Sequence, residues 1–369
     1  MTRHAALFAA GCLVAWLALP LPAPGAEDPP AAAPESYKKV KFVGAPFVYY
    51  SPESKLAFGG GGIMNFRTGK RKAEIQPSSI WAYASYNMAH QFRVYVKPEI
   101  YLDHNDLVAH GTFIYARTPQ YFYGVGNDTL ASDKESYTPR TLLVRFGLKK
   151  RVYKRVFAGL QFDYQKVQME KVEPGGILDT EDLVGSEGGN VSGLGLTVDW
   201  DTRDSVLFPR RGSFVQVDVD GYSAITEDYA GFFSFRIDAR RYVAVGRGVM
   251  AIETYFHTNS GDVPFDRLAL LGGESLLRGY YKGRFRDKGL LLLQAEYRVF
   301  VTKRIGVAGF AGVADVFPGI GEFRVEKLKY ALGSGIRYLV NKRDNTTVRV
   351  DMAWGQASFG FYVTAREAF

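Results

Sequence analysis

Residues 233–240 read FSFRIDAR, and this alternation of apolar and polar side chains decides the fold. Neighbouring side chains of a β-strand point to opposite faces, so the stretch has one apolar face and one face that carries Arg236, Asp238 and Arg240. Residues 215–220 (VQVDVD) repeat the pattern. Because full charges on the polar face suit a water-filled lumen, the sequence predicts strands that separate an apolar environment from water.

The same alternation continues along the chain from about Lys41 onward. It is clear in residues 156–165, 194–201 and 348–354. The expected strands run to about 9–13 residues, close to the length that spans a membrane and longer than the strands of most soluble sheets. A soluble sandwich would share the alternation, but this strand length favours a transmembrane barrel.

The connections between these strands fall into two classes. Tight turns are expected at 151–153, 244–247, 301–304 and 340–344, and long loops at 118–137, 168–189, 259–286 and 317–327. Short turns at one rim and long loops at the other are typical of outer-membrane barrels. The sequence therefore predicts an all-β fold: a transmembrane antiparallel β-barrel of about 16 strands in a bacterial outer membrane. The expected strands start near Phe42, Lys55, Ser78, Phe92, Asp106, Arg140, Tyr153, Asn190, Arg211, Tyr229, Arg247, Lys288, Ile305, Lys329, Asn345 and Ala357.

The composition agrees with a barrel. The 369 residues include 23 Tyr, 26 Phe and 40 Gly, and membrane barrels place aromatic girdles at both interfaces. After the N-terminal segment, no stretch approaches the roughly 20 consecutive apolar residues that a membrane helix needs.

Three regions are predicted along the chain. Residues 1–26 resemble a signal peptide, with an apolar core too short for a membrane helix and small residues for cleavage. The only cysteine, Cys12, lies in this segment, and its lipidation is the alternative. Residues 27–40 form a Pro/Ala linker predicted to be disordered. Residues 41–369 form the barrel, which then has no disulfide and no thiolate chemistry.

Several classes of function are not supported by the sequence. The net charge is +8, but the lysines and arginines occur singly and alternate with acidic residues, so they form no basic patch for nucleic acid. The five histidines show no metal-binding spacing, and no nucleophile elbow or phosphate loop occurs. We therefore expect neither an enzyme nor a cofactor or metal.

The most informative loop contains Arg278, Gly279 and Tyr280. It is the longest predicted loop, and its glycines allow tight turns and close backbone approach, so it can thread a pore. An arginine in a partly desolvated lumen needs a carboxylate partner, and Glu296 lies on the polar face of the next strand. We expect the loop from Asp262 to Arg286 to fold into the lumen. The alternative is that Arg278 forms a salt bridge at the surface.

A second motif lies between the eighth and ninth predicted strands. A carboxylate cluster for metal binding or acid–base chemistry is one interpretation of its acidic residues, and a structural turn with wall charges is the favoured one. No histidine accompanies it. The motif residues are Asp199, Asp201, Arg203, Asp204, Phe208, Pro209 and Gly212.

With these two motifs, the mature chain resembles the barrels of the BamA- and TamA-like assembly and secretion superfamily, also called bacterial surface antigen barrels. The resemblance implies that the arginine of the Arg-Gly-Tyr loop pairs in the lumen with Glu296 and with an aspartate on the following strand. That aspartate is replaced here by Gly312, with Asp315 displaced along the strand. An aspartate restored at position 312 would then be expected to tighten the pairing.

Both ends of the barrel also bear on this resemblance. Residues 50–53 (YSPE) resemble the family's opening strands, and Phe369 fits its C-terminal assembly signal, although Glu367 interrupts the alternating apolar row. Too few residues precede the first strand for a POTRA domain. The chain therefore resembles a subgroup without such domains.

The resemblance implies a role in outer-membrane biogenesis or translocation, through a seam between the first and last strands. A passive channel or surface structural barrel is the alternative from another class, and a partner barrel for a separate periplasmic protein is a third. Expected partners are outer-membrane lipid, the assembly machinery during insertion, and an unknown periplasmic or client protein. We expect the outer membrane of a Gram-negative bacterium as the location, with both termini periplasmic.

Overall fold

The computed structural model describes residues 40–51, 55–68, 76–88, 90–224, 231–341 and 346–369. The predicted signal peptide and residues 27–39 of the predicted linker lie outside the described residues. Val40, the last linker residue in the sequence-based division, is already the first residue of a strand.

Sixteen long strands follow one another along the chain, as the alternation predicted. They are β1 (Val40–Ser51), β2 (Lys55–Phe66), β3 (Ser78–Asn87), β4 (Phe92–Leu102), β5 (Leu107–Arg117), β6 (Glu135–Tyr153), β7 (Val156–Lys171), β8 (Gly188–Asp201), β9 (Gly212–Ala224), β10 (Phe232–Val245), β11 (Gly248–Gly261), β12 (Gly289–Phe300), β13 (Ile305–Phe317), β14 (Lys329–Asn341), β15 (Thr346–Gly355) and β16 (Ser358–Ala365). Only β6 begins well before its expected start, because its first residues pair with the short strand Gln120–Phe122 in the preceding loop.

The remaining elements are short and lie in the connections. Two three-residue strands, Ala269–Leu271 and Phe285–Asp287, pair with each other. One helical turn spans Ile177–Thr180, and 3-10 turns span Asp103–Asn105, Ala131–Asp133, Ile320–Glu322 and Val325–Lys327. Among the described residues, no helix has the length and apolar character needed to cross a membrane.

Every long strand pairs antiparallel with the next one in sequence. Within the described parts of β1 and β16, no residue register joins the two strands. Two contacts show that the sheet nevertheless curls round a lumen. Arg366 after β16 contacts Ser79 on β3, and Phe369 packs with Tyr242 on β10. With an even number of strands, both ends of the sheet lie at the same rim, which is also the rim of the four tight turns expected from the sequence.

The two faces of the sheet differ as the alternation requires. On β8, Leu194, Leu196 and Val198 point outward and expose 44–72% of their surface, whereas Thr197 and Asp199 between and after them are buried inside. β16 repeats this arrangement, with outward Phe359, Phe361 and Val363. An apolar outer band around a polar interior is the surface that a membrane barrel presents to lipid.

The interior is only partly filled. A cavity of about 730 Å³ remains on the lumen side, lined mainly by charged and aromatic residues of β4, β6, β8 and β10. Part of the lumen is occupied by the connection between β11 and β12, which we call the lumen loop (262–288) and which positions the candidate site.

Candidate functional site

The lumen loop folds into the barrel and is held there by apolar packing. Its two short strands form a hairpin, Ala269–Leu271 with Phe285–Asp287. Buried side chains of the loop pack against inward residues of β12, β13 and β14. The cluster consists of Ala269, Leu271, Leu277, Tyr280, Phe285, Leu290, Leu292, Ala314, Val316 and Ala331.

The tip of the loop requires an unusual backbone. Leu277 has a φ of +57° and Gly279 a φ of +117°. A Cβ atom at Gly279 would lie 2.9 Å from the backbone nitrogen of Gly355, so a side chain at position 279 would push the tip off the wall. The Gly279 N–H donates to the Tyr362 hydroxyl at 3.0 Å, which fixes the tip against β16.

Arg278 points from this tip into a fully enclosed ion-pair site. Its Nη2 lies 2.5 Å from Oε2 of Glu296 on β12, and its Nη1 lies 2.6 Å from Oδ2 of Asp351 on β15. All three side chains are 0% exposed. The ring of Phe310 covers the guanidinium, 3.4 Å from its carbon to the ring centroid. The structure therefore brings Arg278 and Glu296 together and adds a second carboxylate that sequence reasoning did not identify.

The second carboxylate comes from neither of the positions considered in the sequence. Gly312 and Asp315 differ by an odd number of residues, so they lie on opposite faces of β13. Asp315 accepts hydrogen bonds from the Asn127 side chain and from the Arg324 N–H, near the long-loop rim. It does not replace the missing family aspartate; Asp351 fills that place from two strands farther along the sheet.

Tyr280 anchors the loop tip and does not cover the Arg278 ion pair. Its hydroxyl donates to the carbonyl of Tyr330 at 2.9 Å and accepts from the Gln356 N–H at 2.8 Å. The ring that shields the Arg278 ion pair is that of Phe310. Tyr280 anchors the tip to β14 and to the turn after β15, which stabilises the loop without covering the charge.

Three arginines of the barrel wall complete a charge network around Arg278. Arg337 contacts Glu296 at 2.8 Å and Asp351 at 2.5 Å. Arg298 contacts Glu296 at 2.8 Å, and Arg349 contacts Asp351. Buried charges are tolerated only when they are paired and hydrogen-bonded. Each carboxylate serves several arginines, so the network binds the loop and wall as one unit.

A second anchor of the lumen loop lies closer to its start. Arg267 contacts both carboxylate oxygens of Asp163 on β7, the nearer at 2.8 Å, and its guanidinium lies over the Tyr222 ring. Asp266 accepts a hydrogen bond from Gln165. Burial raises the pKa of Asp266, an effect that Arg267 opposes. The inward alternation of Asp163 and Gln165 was visible in the sequence, but their loop partners were not.

The turn motif after β8 is held by its own acidic residues. Asp201 pairs with Arg203 at 2.7 Å, and Asp204 accepts from the N–H groups of Arg210 and Arg211 at 2.9 and 3.3 Å. Asp199, two residues before Asp201 on the same face of β8, forms an ion pair with Lys149 on β6. The carboxylates therefore face different cations and do not converge on one point.

The remaining motif residues close the same turn. Phe208 is buried and packs against the Phe300 ring at 5.6 Å, and Pro209 is buried beside it. Gly212 has a φ of +102°, and a Cβ atom there would lie 2.3 Å from the Thr202 carbonyl oxygen. This geometry supports the structural interpretation of the motif. Within the described part of the chain, no group of three His, Cys, Asp or Glu residues is arranged to hold a metal ion.

Phe369 is not in the alternating lipid-facing row of the last strand. β16 ends at Ala365, and the ring of Phe369 is buried in the lumen with Tyr242, Val249 and Ala251. Arg298 lies over that ring, 5.5 Å from the centroid. The expected row therefore ends before Phe369, because the chain turns inward after the strand.

Comparisons with known proteins agree with this architecture. A sequence model described as the Omp85 superfamily domain matches residues 76–340. The chain is similar to the crystal structure of BamA from Haemophilus ducreyi lacking POTRA domains 1-3, with a TM-score of 0.54 and 13% identity, covering 89% of this chain and 69% of that one.

Two CdiB structures are also similar. CdiB from Acinetobacter baumannii gives a TM-score of 0.55 at 11% identity, covering 89% of this chain and 60% of that one. CdiB from Escherichia coli gives 0.54 at 10% identity, covering 90% and 62%. The chain thus spans about three fifths of the length of the CdiB chains it matches. At these identities the likeness shows the fold.

A comparison with curated proteins finds no match. The family model and the solved structures confirm two expectations from the sequence, namely the resemblance to the surface-antigen barrels and an antiparallel outer-membrane barrel with sixteen long strands.

Proposed function

The chain belongs to the Omp85 superfamily, and on that premise we propose that it acts in outer-membrane biogenesis or translocation, as a barrel whose lumen is held by an inserted Arg-Gly-Tyr loop. The role needs no catalytic group and no cofactor. The proposed partners are outer-membrane lipid, the machinery that inserts the barrel, and a periplasmic or client protein. In the proposed orientation the tight-turn rim, with both chain ends, faces the periplasm.

The observation that carries the proposal is the enclosed ion pair of Arg278 with Glu296 and Asp351. A passive pore has no need of a loop whose charged tip is fully desolvated against the wall. Breaking such a pair removes charge-assisted hydrogen bonds inside an enclosed site. The loop tip is thus held in one discrete position. This is expected of a barrel whose lumen stays blocked by the loop while the barrel wall acts on an incoming strand or on lipid.

The working part of the wall in this proposal is the seam between β1 and β16. An edge strand presents unpaired backbone groups, which can template an incoming strand or disturb the surrounding lipid. Strand β16 pairs with β15 over residues 348–365, and no register joins it to β1 in the described residues. In this proposal the seam is the place where backbone pairing holds the sheet least.

One observation supports the alternative function of a passive channel. It is the cavity of about 730 Å³, which is lined by charged side chains. Planar-bilayer conductance of the purified barrel separates the two functions. We expect rare, brief openings in the wild-type protein and frequent openings in Arg278→Ala. Large, steady currents in the wild type would favour the channel.

The biological test is depletion in the native host. Loss of the protein should change the outer-membrane proteome or the lipid asymmetry, and the wild-type gene should restore them. Complementation with Glu296→Gln should fail in part, while Glu326→Gln, a neutralisation at an exposed loop residue, should succeed. An unchanged proteome and unchanged lipid asymmetry after depletion would refute the biogenesis role. Pull-down from solubilised membranes tests for a separate periplasmic partner.

A further inference from the structure

The last four residues of the sequence form a segment inside the lumen, which we call the strap (366–369). β16 ends at Ala365, and Arg366, with a φ of +70°, turns the chain inward. Glu367 exposes 2% of its side chain and Phe369 exposes 4% of its surface. The strap is therefore packed within the barrel.

The strap contacts the wall on both sides of the seam. On the β1 side, Arg366 donates to the Ser79 hydroxyl on β3 and lies 3.6 Å from Glu99 on β4. On the other side, the Phe369 ring packs against Tyr242 and Val249, on β10 and β11. A covalent extension of β16 thus reaches past β1 and β2 to the strands beyond them.

The strap shares arginines with the tip of the lumen loop. Arg337 contacts Glu367 at 2.9 Å and Glu296 at 2.8 Å. Arg298 contacts the same two carboxylates, at 3.5 Å and 2.8 Å, and donates to the main-chain oxygen of Phe369 at 2.9 Å.

Arg349 makes the same kind of link through the backbone. Its Nε donates to the carbonyl of Arg366 in the strap at 3.1 Å, and its Nη2 donates to the carbonyl of Glu274 in the lumen loop at 2.8 Å. Each of the three wall arginines therefore binds the strap. Each also binds either the lumen loop itself or a wall carboxylate that holds Arg278.

We propose that the strap is a lumen-side latch across the β1–β16 seam, coupled through the wall arginines to the loop tip, so that strap and tip are held or released together. The inference concerns the barrel itself and stands whether or not the proposed function holds. Arg366 fastens the strap on one side of the seam, Phe369 on the other, and Glu367 joins it to the charge network.

The charge balance explains why release would be shared. Four guanidinium groups, those of Arg278, Arg298, Arg337 and Arg349, face three side-chain carboxylates, those of Glu296, Asp351 and Glu367. Neutralising Glu367 leaves the same four cations with two side-chain carboxylates. The wall arginines then compete with Arg278 for Glu296 and Asp351, and the tip loses part of its hold although nothing in the loop has changed.

The coupling is tested by changing a residue of the strap and measuring the exposure of the lumen loop. A reporter cysteine, Ser275→Cys in a Cys12→Ser background, lies on the loop beside the cavity. Its rate of modification by a membrane-impermeant maleimide in intact outer membranes reports loop release. Glu367→Gln should raise that rate about tenfold, because one partner of a buried ion-pair network is lost. The matched control Glu326→Gln should leave the rate unchanged.

Equal rates in Glu367→Gln and Glu326→Gln would overturn the coupling. If Glu367→Gln fails to assemble, Thr347→Val decides, since it removes only the 2.9 Å hydrogen bond from the Thr347 hydroxyl to Glu367. A rise of about threefold is then expected for one lost hydrogen bond, and no rise contradicts the proposal.

The latch across the seam is measured by hydrogen exchange in lipid nanodiscs. Arg366→Gln should speed amide exchange in residues 358–365 by about tenfold, as expected for loss of a partly buried ion pair with Glu99. Lys303→Gln, at an exposed tight turn, is the matched control. Exchange in β16 that is equal in the two variants would show that the strap does not hold the seam.

Discussion

The Nη1 atom of Arg278 lies 2.6 Å from Oδ2 of Asp351, although 73 residues separate them in sequence. Asp351 lies on β15, three strands beyond the strand that carries Glu296. The two carboxylates therefore hold the loop tip from strands that do not pair with each other. Anchoring by separated strands makes the loop position depend on the curvature of the barrel wall as well as on local contacts.

Removing Arg278 should release the loop. Arg278→Ala removes the charge-assisted hydrogen bonds to Glu296 and Asp351, which keep their wall arginines, and we expect a cost of about 1–3 kcal/mol. Arg278→Lys should cost less, because it keeps the charge but loses the two-sided fork. Urea unfolding in lipid vesicles and protease cleavage of the loop from the long-loop side measure both.

A double-mutant cycle tests the partnership. Glu296→Ala should cost more than Arg278→Ala, because Glu296 also binds Arg298 and Arg337. The double variant should be little worse than Glu296→Ala alone. Additive losses would show that Arg278 and Glu296 act independently.

An aspartate at position 312 should loosen the loop, contrary to the expectation from the family pattern. A Cβ atom at Gly312 would lie 2.8 Å from Cβ of Gln294 and 3.0 Å from Cδ1 of Leu277. Asp351 already supplies the carboxylate that was thought to be missing. We expect Gly312→Asp to destabilise the barrel by about 1–3 kcal/mol through overpacking. Tighter loop protection against protease in this variant would contradict the assignment.

An added positive charge should destabilise the barrel by different amounts at two neighbouring residues of β9. Val217 is apolar and points outward, while Gln216 points into the cavity beside Asp218. Val217→Arg should cost about 2–4 kcal/mol if it lies near the membrane midplane, and Gln216→Arg should cost much less. Unfolding free energies in vesicles compare them directly, and equal costs would contradict the facing of the strand.

The turn after β8 should depend on Gly212. Its φ of +102° and the close Thr202 carbonyl leave no room for a side chain, so Gly212→Ala should destabilise the barrel by about 1–3 kcal/mol. Gly309 on the outer face of β13 has no atom within 4 Å of a Cβ position, which makes Gly309→Ala the control. Thermal unfolding followed by heat-modifiable migration distinguishes them. A tolerated Gly212→Ala would argue against the turn geometry.

Phe369 should matter for assembly through its place in the lumen. Phe369→Ala empties a buried site beside Tyr242 and Ala251, and we expect a loss of about 3–5 kcal/mol. Deleting the residue should reduce assembly in cells as well. Phe369→Leu, which keeps most of the apolar volume, should recover a large part of the loss. Normal folding and assembly of the deletion variant would show that Phe369 is needed neither for stability nor for assembly.

The sequence by itself determined the repeating features of this protein. Alternation predicted sixteen strands, and for β12 to β14 it placed the starts within one residue of those observed. It also predicted which residues face inward, including Glu296, since side-chain facing depends only on the strand period. The turn motif, the lumen loop and the Arg278–Glu296 pairing were identified from local residues and family resemblance.

Only the tertiary structure decided which inward residues meet across the lumen. Asp351 as the second partner of Arg278, Arg267 on Asp163, and the inward turn of Phe369 all depend on how the sheet curls and how far each strand is staggered. Strand alternation carries no information about that curvature, and contacts between distant strands are made by long side chains across an open interior. The physical limit is that a period of two fixes the face of each residue, while the closed shape of the wall fixes its partner.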